Sequence, residues 1–230
     1  MTKHTILFLA ANPLGTDRLA LDEEARAIQE ELERSGHRDN FELVTRWAAR
    51  PLDLLRELRK LKPTIVHFSG HGRWGELRST ASPSPHRDVV GEVGVADDCA
   101  VDRGQQGLFF HGPDGGPQLV STTALEDTFG AAGASVKLVV LAACYSDVQA
   151  GALLGHIDCV VGMGSIRDEA ARSFAIGFYG GLGERQSVAA AYRQGCAAIS
   201  LEGLSDRDCP RLRVRERVDA NQLVLATGPH

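Results

Sequence analysis

The sequence predicts an α/β protein whose central sheet is mostly parallel and covered by helices. Two apolar runs, residues 5–11 (TILFLAA) and 136–143 (VKLVVLAA), are typical of strands that are buried on both faces. Runs of this kind alternate along the chain with segments in which apolar residues recur at helical spacing. Because strands and helices alternate, we expect right-handed crossover connections within one sheet.

The N-terminal part of the chain predicts three strands and two helices. Residues 5–11 form the first strand, and residues 21–32 carry apolar side chains at helical spacing before a glycine. Residues 41–47 predict a second strand, and residues 51–61 predict a helix with proline in its first turn. Residues 64–69 (TIVHFS) predict the third strand.

A long segment without periodicity follows. Between residues 73 and 106, small polar residues, glycines and aspartates replace the apolar pattern, which predicts a mobile surface insertion. Such an exposed segment is a candidate for cleavage during activation. Residues 107–122 then carry two apolar pieces around a Gly-Pro-Asp-Gly-Gly turn and predict a β-hairpin.

Two capping-box patterns predict helix starts in the second half of the chain. Thr123 followed by Glu126 predicts one helix, and Ser146 followed by Gln149 predicts another. The second of these helices begins directly behind the apolar strand at 136–143, which we expect at the centre of the sheet.

The remaining chain predicts one more buried strand, two helices and an edge strand. The buried strand covers residues 157–163, and the helices have their inner faces within residues 171–182 and 187–199. Residues 211–218 alternate arginine with apolar residues, as in an edge strand with a solvated face. No repeat or linker interrupts the pattern, so we expect a single domain over residues 1–230.

The charge and the cysteine content exclude several classes of function. The formal net charge of −5 argues against direct binding to nucleic acid, which requires a surplus of Lys and Arg on one face. The 5 scattered cysteines contain no C-x-x-C pair and predict neither a disulfide framework nor a zinc site. No apolar run approaches the roughly 20 residues of a membrane span. We therefore expect a cytoplasmic protein that binds neither nucleic acid nor membrane directly.

A histidine and a cysteine follow two of the predicted core strands. His71 follows strand 64–69 within SGHG, and Cys144 follows strand 136–143 within ACYS. Parallel strands end at one edge of a sheet, so adjacent strands would bring the imidazole and the thiol together. Nucleophilic catalysis needs a thiolate, a proton carrier and donors for an oxyanion. Cys144, His71 and the amides of Gly72 and Cys144 are the candidates for these roles.

The sequence around both residues resembles the CHAT family of caspase-like peptidases, which are relatives of separase, metacaspases and caspases. The matching pieces are ILFLAANP at 6–13, LDEEARAI at 21–28, IVHFSGHG at 65–72, VKLVVLAACYS at 136–146, VVGMGS at 160–165 and FAIGFY at 174–179. The resemblance implies a caspase-hemoglobinase fold, which is a three-layer α/β/α sandwich. It also implies that a His71 and Cys144 dyad cleaves a peptide bond in a protein or peptide substrate, without a metal or cofactor.

The substrate pocket departs from part of this family. Some relatives that cleave after Arg or Lys carry an acid two places before the cysteine, where this chain has Ala142. The candidate pocket residues are Ala142, Ser165 and Asp168, although an acid such as Asp168 is also common at a helix start for structural reasons. His67, within the strand before His71, is expected in the core and not in a metal site. Family members commonly stand beside sensor domains, so an activating sensor domain or protein is an expected partner.

Two functions of different classes remain open. The first is a caspase-like cysteine endopeptidase of a regulated bacterial-type signalling or antiviral defence pathway. The second is a catalytically silent caspase-like protein that acts as a protein-interaction module. A flavodoxin-like nucleotide-binding module is disfavoured, because no G-x-x-x-x-G-K-[ST] or G-x-G-x-x-G pattern follows a strand.

Overall fold

The computed structural model describes residues 3–73 and 106–226. The segment 73–106, for which the sequence predicts a mobile and cleavable insertion, lies outside the described residues apart from its two end positions. The strands of the described residues are β1 His4–Ala11, β2 Phe41–Arg46, β3 Ile65–Gly70, β4 Gly72–Arg73, β5 Gly107–His111, β6 Pro117–Ser121, β7 Leu138–Ala142, β8 Cys159–Met163 and β9 Pro210–Val214. The α-helices are α1 Leu21–Arg34, α2 Pro51–Leu61, α3 Thr122–Ala132, α4 Asp147–Leu153, α5 Asp168–Gly183 and α6 Val188–Leu201.

The main sheet has the strand order β2-β1-β3-β7-β8-β9. The first five of these strands run parallel, and β9 is antiparallel to β8. Every residue of β3, β7 and β8 is buried, which agrees with their unbroken apolar sequences. The prediction of a mostly parallel α/β sheet is confirmed.

Helices cover both faces of this sheet. Alternate residues of β1 point to opposite sides, so that Phe8 belongs to one hydrophobic core and Leu9 to the other. The first core contains the apolar faces of α1, α5 and α6, and the second contains those of α2, α3 and α4. The result is the three-layer α/β/α sandwich expected from the sequence.

A small antiparallel sheet with the order β4-β5-β6 stands beside the carboxyl edge of the main sheet. Its strands β5 and β6 form a hairpin, within the range 107–122. The amide of Phe109 donates to the carbonyl of His71 (2.9 Å), and the amide of His111 donates to the carbonyl of Ala49 (2.9 Å). The hairpin is therefore fixed to the chain that leaves β3 and to the chain that follows β2.

Both capping-box predictions are wrong. The helix α3 starts two residues earlier than expected, and the hydroxyl of Ser121 caps it by accepting the amide of Ala124 (3.2 Å). The hydroxyl of Ser146 does not cap α4. It donates to the carbonyl of Leu141 (2.8 Å) and accepts the amide of Met163 (2.9 Å). The Ser146 hydroxyl points into the core because these buried backbone groups at the ends of β7 and β8 would otherwise lack a hydrogen-bond partner.

The C-terminal strand lies at the edge of the sheet, as predicted, but is shorter than the predicted range 211–218. Its arginines are not simply solvated. Arg213 makes two hydrogen bonds to the carboxylate of Asp147, from Nε (2.7 Å) and Nη2 (2.6 Å). Among the described residues, none of the helices has the length and apolar character that a membrane crossing requires.

Candidate active site

The pairing of β3 with β7 brings His71 and Cys144 together. Ser69 is the register partner of Ala142, and two residues further along each strand stand His71 and Cys144. Both residues line one cavity of ≈ 40 Å³ at the carboxyl end of the sheet. The two residues singled out from the sequence therefore share one site.

Gly72 contacts the backbone of the cysteine directly. A Cβ atom at position 72 would lie 2.1 Å from the carbonyl oxygen of Cys144, so no side chain fits there. Gly72 faces Leu108 in the register of β4 and β5, and the neighbouring bond runs from the Phe109 amide to the His71 carbonyl. In an antiparallel ladder, hydrogen-bonded pairs alternate with pairs that make no hydrogen bonds to each other. Gly72 and Leu108 form a pair of the second kind, so the Gly72 amide points away from β5.

The amide of Cys144 has no acceptor within residues 3–73 and 106–226. Position 72 closely contacts the backbone of Cys144, so this amide and the Gly72 amide, the two candidate oxyanion donors, belong to neighbouring segments of the chain. Donors arranged in advance in this way are the usual means of stabilising an oxyanion.

A backbone carbonyl orients the ring of His71. Its Nε2 atom lies 2.8 Å from the carbonyl oxygen of Asp17 and 3.3 Å from the side-chain amide of Asn12. A carbonyl only accepts, so Nε2 carries the proton of the neutral ring, and Nδ1 is left as the acceptor. With its amide nitrogen turned toward Asp17, Asn12 donates to the same carbonyl (2.9 Å) and accepts the amide of Leu19 (3.3 Å).

Cys144 sits on a sharp turn between β7 and α4. Its thiol is partly buried and donates to the carbonyl oxygen of Ile166 (3.3 Å). The next residue, Tyr145, has a φ of 60°, a left-handed conformation that is uncommon for a bulky residue. The amide of Tyr145 donates to the carbonyl of Gly164 (3.0 Å) and ties this turn to the chain after β8.

An acid with arginine partners opens the helix behind Cys144. The hydrogen bonds from Arg213 lower the pKa of Asp147, with burial opposing and the charges of Arg213 and Arg211 adding to the effect. The same bonds raise the pKa of Arg213. The carboxylate of Asp147 thus occupies the first position of α4, three residues after Cys144.

The structure brings two of the three candidate pocket residues to the dyad. Ala142 and Asp168 line the cavity that holds His71 and Cys144. Asp168 is half-buried at the start of α5, and one of its carboxylate oxygens accepts the amide of Ala20 (3.0 Å). Ser165 does not line this cavity.

Ser165 is exposed, and its carbonyl accepts the thiol of Cys209 (3.0 Å). The chain turns after β8 so that the neighbouring residue Ile166 faces the cavity instead. The assignment of Ser165 to the substrate pocket is therefore not supported by its position.

The loop that follows β1 forms a wall of the site that the sequence motifs do not indicate. Asn12 and Asp17 contact His71, and Leu19 lines the cavity. Asn12-Pro13 indicates only the end of a strand when it is considered in isolation. The position of this loop could have been predicted from the topology alone, because the loop after any parallel strand lies at the carboxyl edge of the sheet.

A buried polar cluster anchors the strand that carries His71. His67 lies in the core, with Nδ1 3.0 Å from the hydroxyl of Tyr179 and Nε2 3.2 Å from Oε1 of Glu24. The hydroxyl of Ser69 donates to the other oxygen of Glu24. Burial, with a smaller contribution from Glu24, raises the pKa of Tyr179 well above its usual range. Within the described ranges no cluster of three potential metal ligands occurs.

The fold is similar to two crystal structures of cysteine proteases. One is a secreted C11 cysteine protease from Bacteroides thetaiotaomicron in complex with an irreversible peptide inhibitor, with 14% identity over 88% of this chain and a TM-score of 0.56. The other is the secreted C11 cysteine protease "iotapain" of the same organism, with 13% identity over 92% of this chain and a TM-score of 0.52. The chain spans 60% and 66% of the lengths of those two proteins. It has the fold of the caspase-like class of α/β proteins.

Within that class, the family is defined by sequence. The CHAT domain model matches residues 10–202, and the chain belongs to the CHAT domain family. Comparison with curated proteins finds no significant match. The resemblance expected from the His71 and Cys144 motifs is confirmed at the level of the family.

Proposed function

We propose that this chain is a cysteine endopeptidase in which Cys144 is the nucleophile and His71 carries the proton. The observation that supports this most directly is the β3–β7 register, which sets the two residues side by side in one cavity. The contact between His71 Nε2 and the Asp17 carbonyl adds to it, because it leaves Nδ1 as the basic atom.

In the first half of the reaction, His71 Nδ1 takes the proton of the Cys144 thiol, and the sulfur attacks the carbonyl carbon of the scissile peptide bond. The amides of Gly72 and Cys144 hold the resulting oxyanion. The intermediate collapses when His71 returns its proton to the leaving nitrogen and the C–N bond breaks. The products of this half are a free amine and a thioester on Cys144.

In the second half, one water molecule completes the hydrolysis. His71 takes a proton from the water, whose oxygen attacks the thioester carbon. The C–S bond then breaks, the acid product leaves and His71 returns the proton to the sulfur. In both halves the Asp17 carbonyl stabilises the positively charged imidazole through the bond to Nε2.

The test combines an electrophilic probe of the caspase-inhibitor type with turnover of a peptide library. We expect one probe adduct, at Cys144, and no turnover in Cys144→Ala or His71→Ala, because each removes an atom that takes part in both halves. Intact mass and peptide mapping locate the adduct, and circular dichroism checks that the variants are folded.

A matched cysteine control is available within the same chain. Cys209 is also partly buried, and its pKa is raised first by burial and then by nearby carboxylates, so its thiol is expected to remain unlabelled. Cys209→Ala should retain labelling and turnover. Adduct formation at Cys209 alone, or turnover that survives in Cys144→Ala, would contradict the proposal.

The small volume of the cavity favours a regulated enzyme. A cavity of ≈ 40 Å³ holds only a few water molecules and not a substrate side chain. We therefore include in the proposal an activating sensor protein or domain that opens the site. We also include a signalling or defence pathway of the cytoplasm as the setting of the reaction. The free thiols of the four described cysteines accord with a reducing compartment.

The same small cavity supports the second candidate, a silent caspase-like interaction module. The two candidates differ in the probe experiment. A module without catalytic activity leaves Cys144 unlabelled even when an activating partner is present.

A further inference from the structure

A second and larger cavity lies next to His71. Its volume is ≈ 310 Å³, and it is lined by residues of the loop after β1 and by Trp47 and Ala48 after β2. Leu19 lines both this cavity and the one that holds the dyad. Asn12, which contacts His71, lies in its wall. We call it the Trp47 cavity.

The strand order determines on which side of the dyad the Trp47 cavity lies. The strands β2, β1, β3 and β7 are consecutive neighbours. Their carboxyl ends carry, in this order along the edge, Trp47, Asn12, His71 and Cys144. The Trp47 cavity is therefore reached from Cys144 by passing over His71.

If the proposed function is correct, the position of the Trp47 cavity relates it to the leaving-group side of the substrate. In that reaction His71 protonates the leaving nitrogen, so the part of the substrate that follows the scissile bond extends from Cys144 toward His71. The next surface in that direction is the Trp47 cavity.

The walls of the Trp47 cavity favour an apolar occupant. Trp47 is 52% exposed, although its side chain is one of the largest apolar ones of the chain. Leu19 adds apolar surface beside it, and Ala10 and Leu21 lie beneath as buried residues of the core. Arg18 and Asp22 stand at the same cavity with opposite charges, so the walls give no preference for either sign.

The imidazole of this cavity, that of His111, already has a partner. His111 Nε2 accepts the amide of Asn12 (3.1 Å), and burial, followed by the charge of Arg50, lowers the pKa of His111. At neutral pH this imidazole is uncharged and does not compete for an acidic side chain.

The turn that presents Trp47 is held in place. Ala48 adopts a left-handed conformation with a φ of 49°, and the amide of Ala49 donates to the carbonyl of Ala10 (2.9 Å). The ring of Phe8 lies behind Trp47, with 6.2 Å between the ring centroids. The indole is therefore supported on one side and open on the other.

We propose that the Trp47 cavity is a substrate subsite on the leaving-group side of the scissile bond. It takes a large apolar side chain, preferably aromatic, from one of the first two residues after the cleavage point. Stacking on an exposed indole is favourable for such side chains, and filling an apolar pocket discriminates between substrates by about 10-fold or more.

The experiment uses a library of peptides from a digested proteome, with the new ends of all products identified by mass spectrometry. Wild-type protein is compared with Trp47→Ala, Trp47→Phe and Cys144→Ala. Leu201→Ala is the matched control, because Leu201 is an 86% exposed apolar residue at the end of α6. Labelling of Cys144 by an electrophile without residues on the leaving-group side checks that the Trp47 and Leu201 variants each have an intact dyad.

In the wild type we expect Phe, Tyr, Trp, Leu or Met to be enriched at the first or second position after the cut. The enrichment should fall about 10-fold in Trp47→Ala, persist in Trp47→Phe and Leu201→Ala, and leave the preference before the cut unchanged.

The possible failures are distinguishable. If cleavage depends on Cys144 but shows no apolar preference after the cut, or one that Trp47→Ala leaves intact, the subsite is refuted and the peptidase stands. If Cys144 is neither labelled nor needed for cleavage, even when the activating partner is present, the proposed function is refuted and the subsite with it.

Discussion

Gly72 joins the two halves of the proposed dyad. A methyl group at this position would lie 2.1 Å from the Cys144 carbonyl oxygen, so Gly72→Ala must push apart the chain segments after β3 and β7. A displacement of about 1 Å at a catalytic group lowers rates on the order of 100-fold. We expect that loss in the rate at which the electrophilic probe labels Cys144.

Gly151→Ala is the matched control for Gly72→Ala. Gly151 lies in the exposed part of α4, and an added Cβ there would meet no atom within 4 Å. Labelling should be unchanged and the free energy of unfolding should rise by about 1 kcal/mol. Equal labelling rates in both variants would mean that close contact at position 72 is unimportant for the dyad.

The orientation of His71 illustrates a limit of residue patterns. The acceptor for its Nε2 atom is the main-chain carbonyl of Asp17. Every residue has a carbonyl, so this partner leaves no mark in the sequence. The identities of His71 and Cys144 could be predicted, whereas the group that selects the tautomer could not.

At the scale of elements, the periodic segments and the start of α4 after Ser146 were predicted well, whereas the side-chain caps of α3 and α4 were not. The helices α1, α2, α5 and α6 have clear apolar faces, because burial of one face imposes the helical period on the sequence. A capping hydroxyl has several possible partners. The hydroxyl of Ser146 bonds to β7 and β8 in place of its own helix, which only the tertiary structure decides.

The bond between Asp147 and Arg213 fixes α4 against β9 and should make stability depend on pH. Arg213 lowers the pKa of Asp147 in the folded protein. The stabilisation is therefore complete above the ordinary pKa of about 4 and is lost as the pH falls through the lower folded value. Asp147→Asn should cost about 1 kcal/mol at pH 7, since the pair is only partly buried.

Urea denaturation at a series of pH values checks this pair. The difference between wild type and Asp147→Asn should shrink as the pH falls below about 4. Asp127→Asn, at an exposed position of α3, should cost little at any pH. A difference that is constant with pH would rule out a role for the charge of Asp147.

At the scale of the whole molecule, one buried polar cluster links three elements across a layer. Glu24 in α1 contacts His67 and Ser69 in β3, and Tyr179 in α5 contacts His67. Glu24 is only 2% exposed. Removing its carboxylate would leave buried donors without an acceptor, which is costly.

Glu24→Ala should therefore lower the free energy of unfolding by about 3 kcal/mol. The matched control is Glu23→Ala, which removes an exposed carboxylate that pairs with Arg172 on the surface and should cost about 0.5 kcal/mol. Chemical denaturation of the three proteins measures both values. Equal costs for the two variants would show that the cluster adds nothing beyond a surface pair.

The sequence by itself determined the class of fold, the family and the two residues of the proposed dyad. Apolar periods record which faces are buried, and the SGHG and ACYS motifs are local. Only the tertiary structure decided that β3 and β7 are neighbours, that Asp17 orients His71, that Ser165 turns away and that Trp47 lies beyond His71. These contacts join residues that are far apart in the chain. Which residues meet depends on side-chain packing and on the hydrogen bonds that buried polar groups must form.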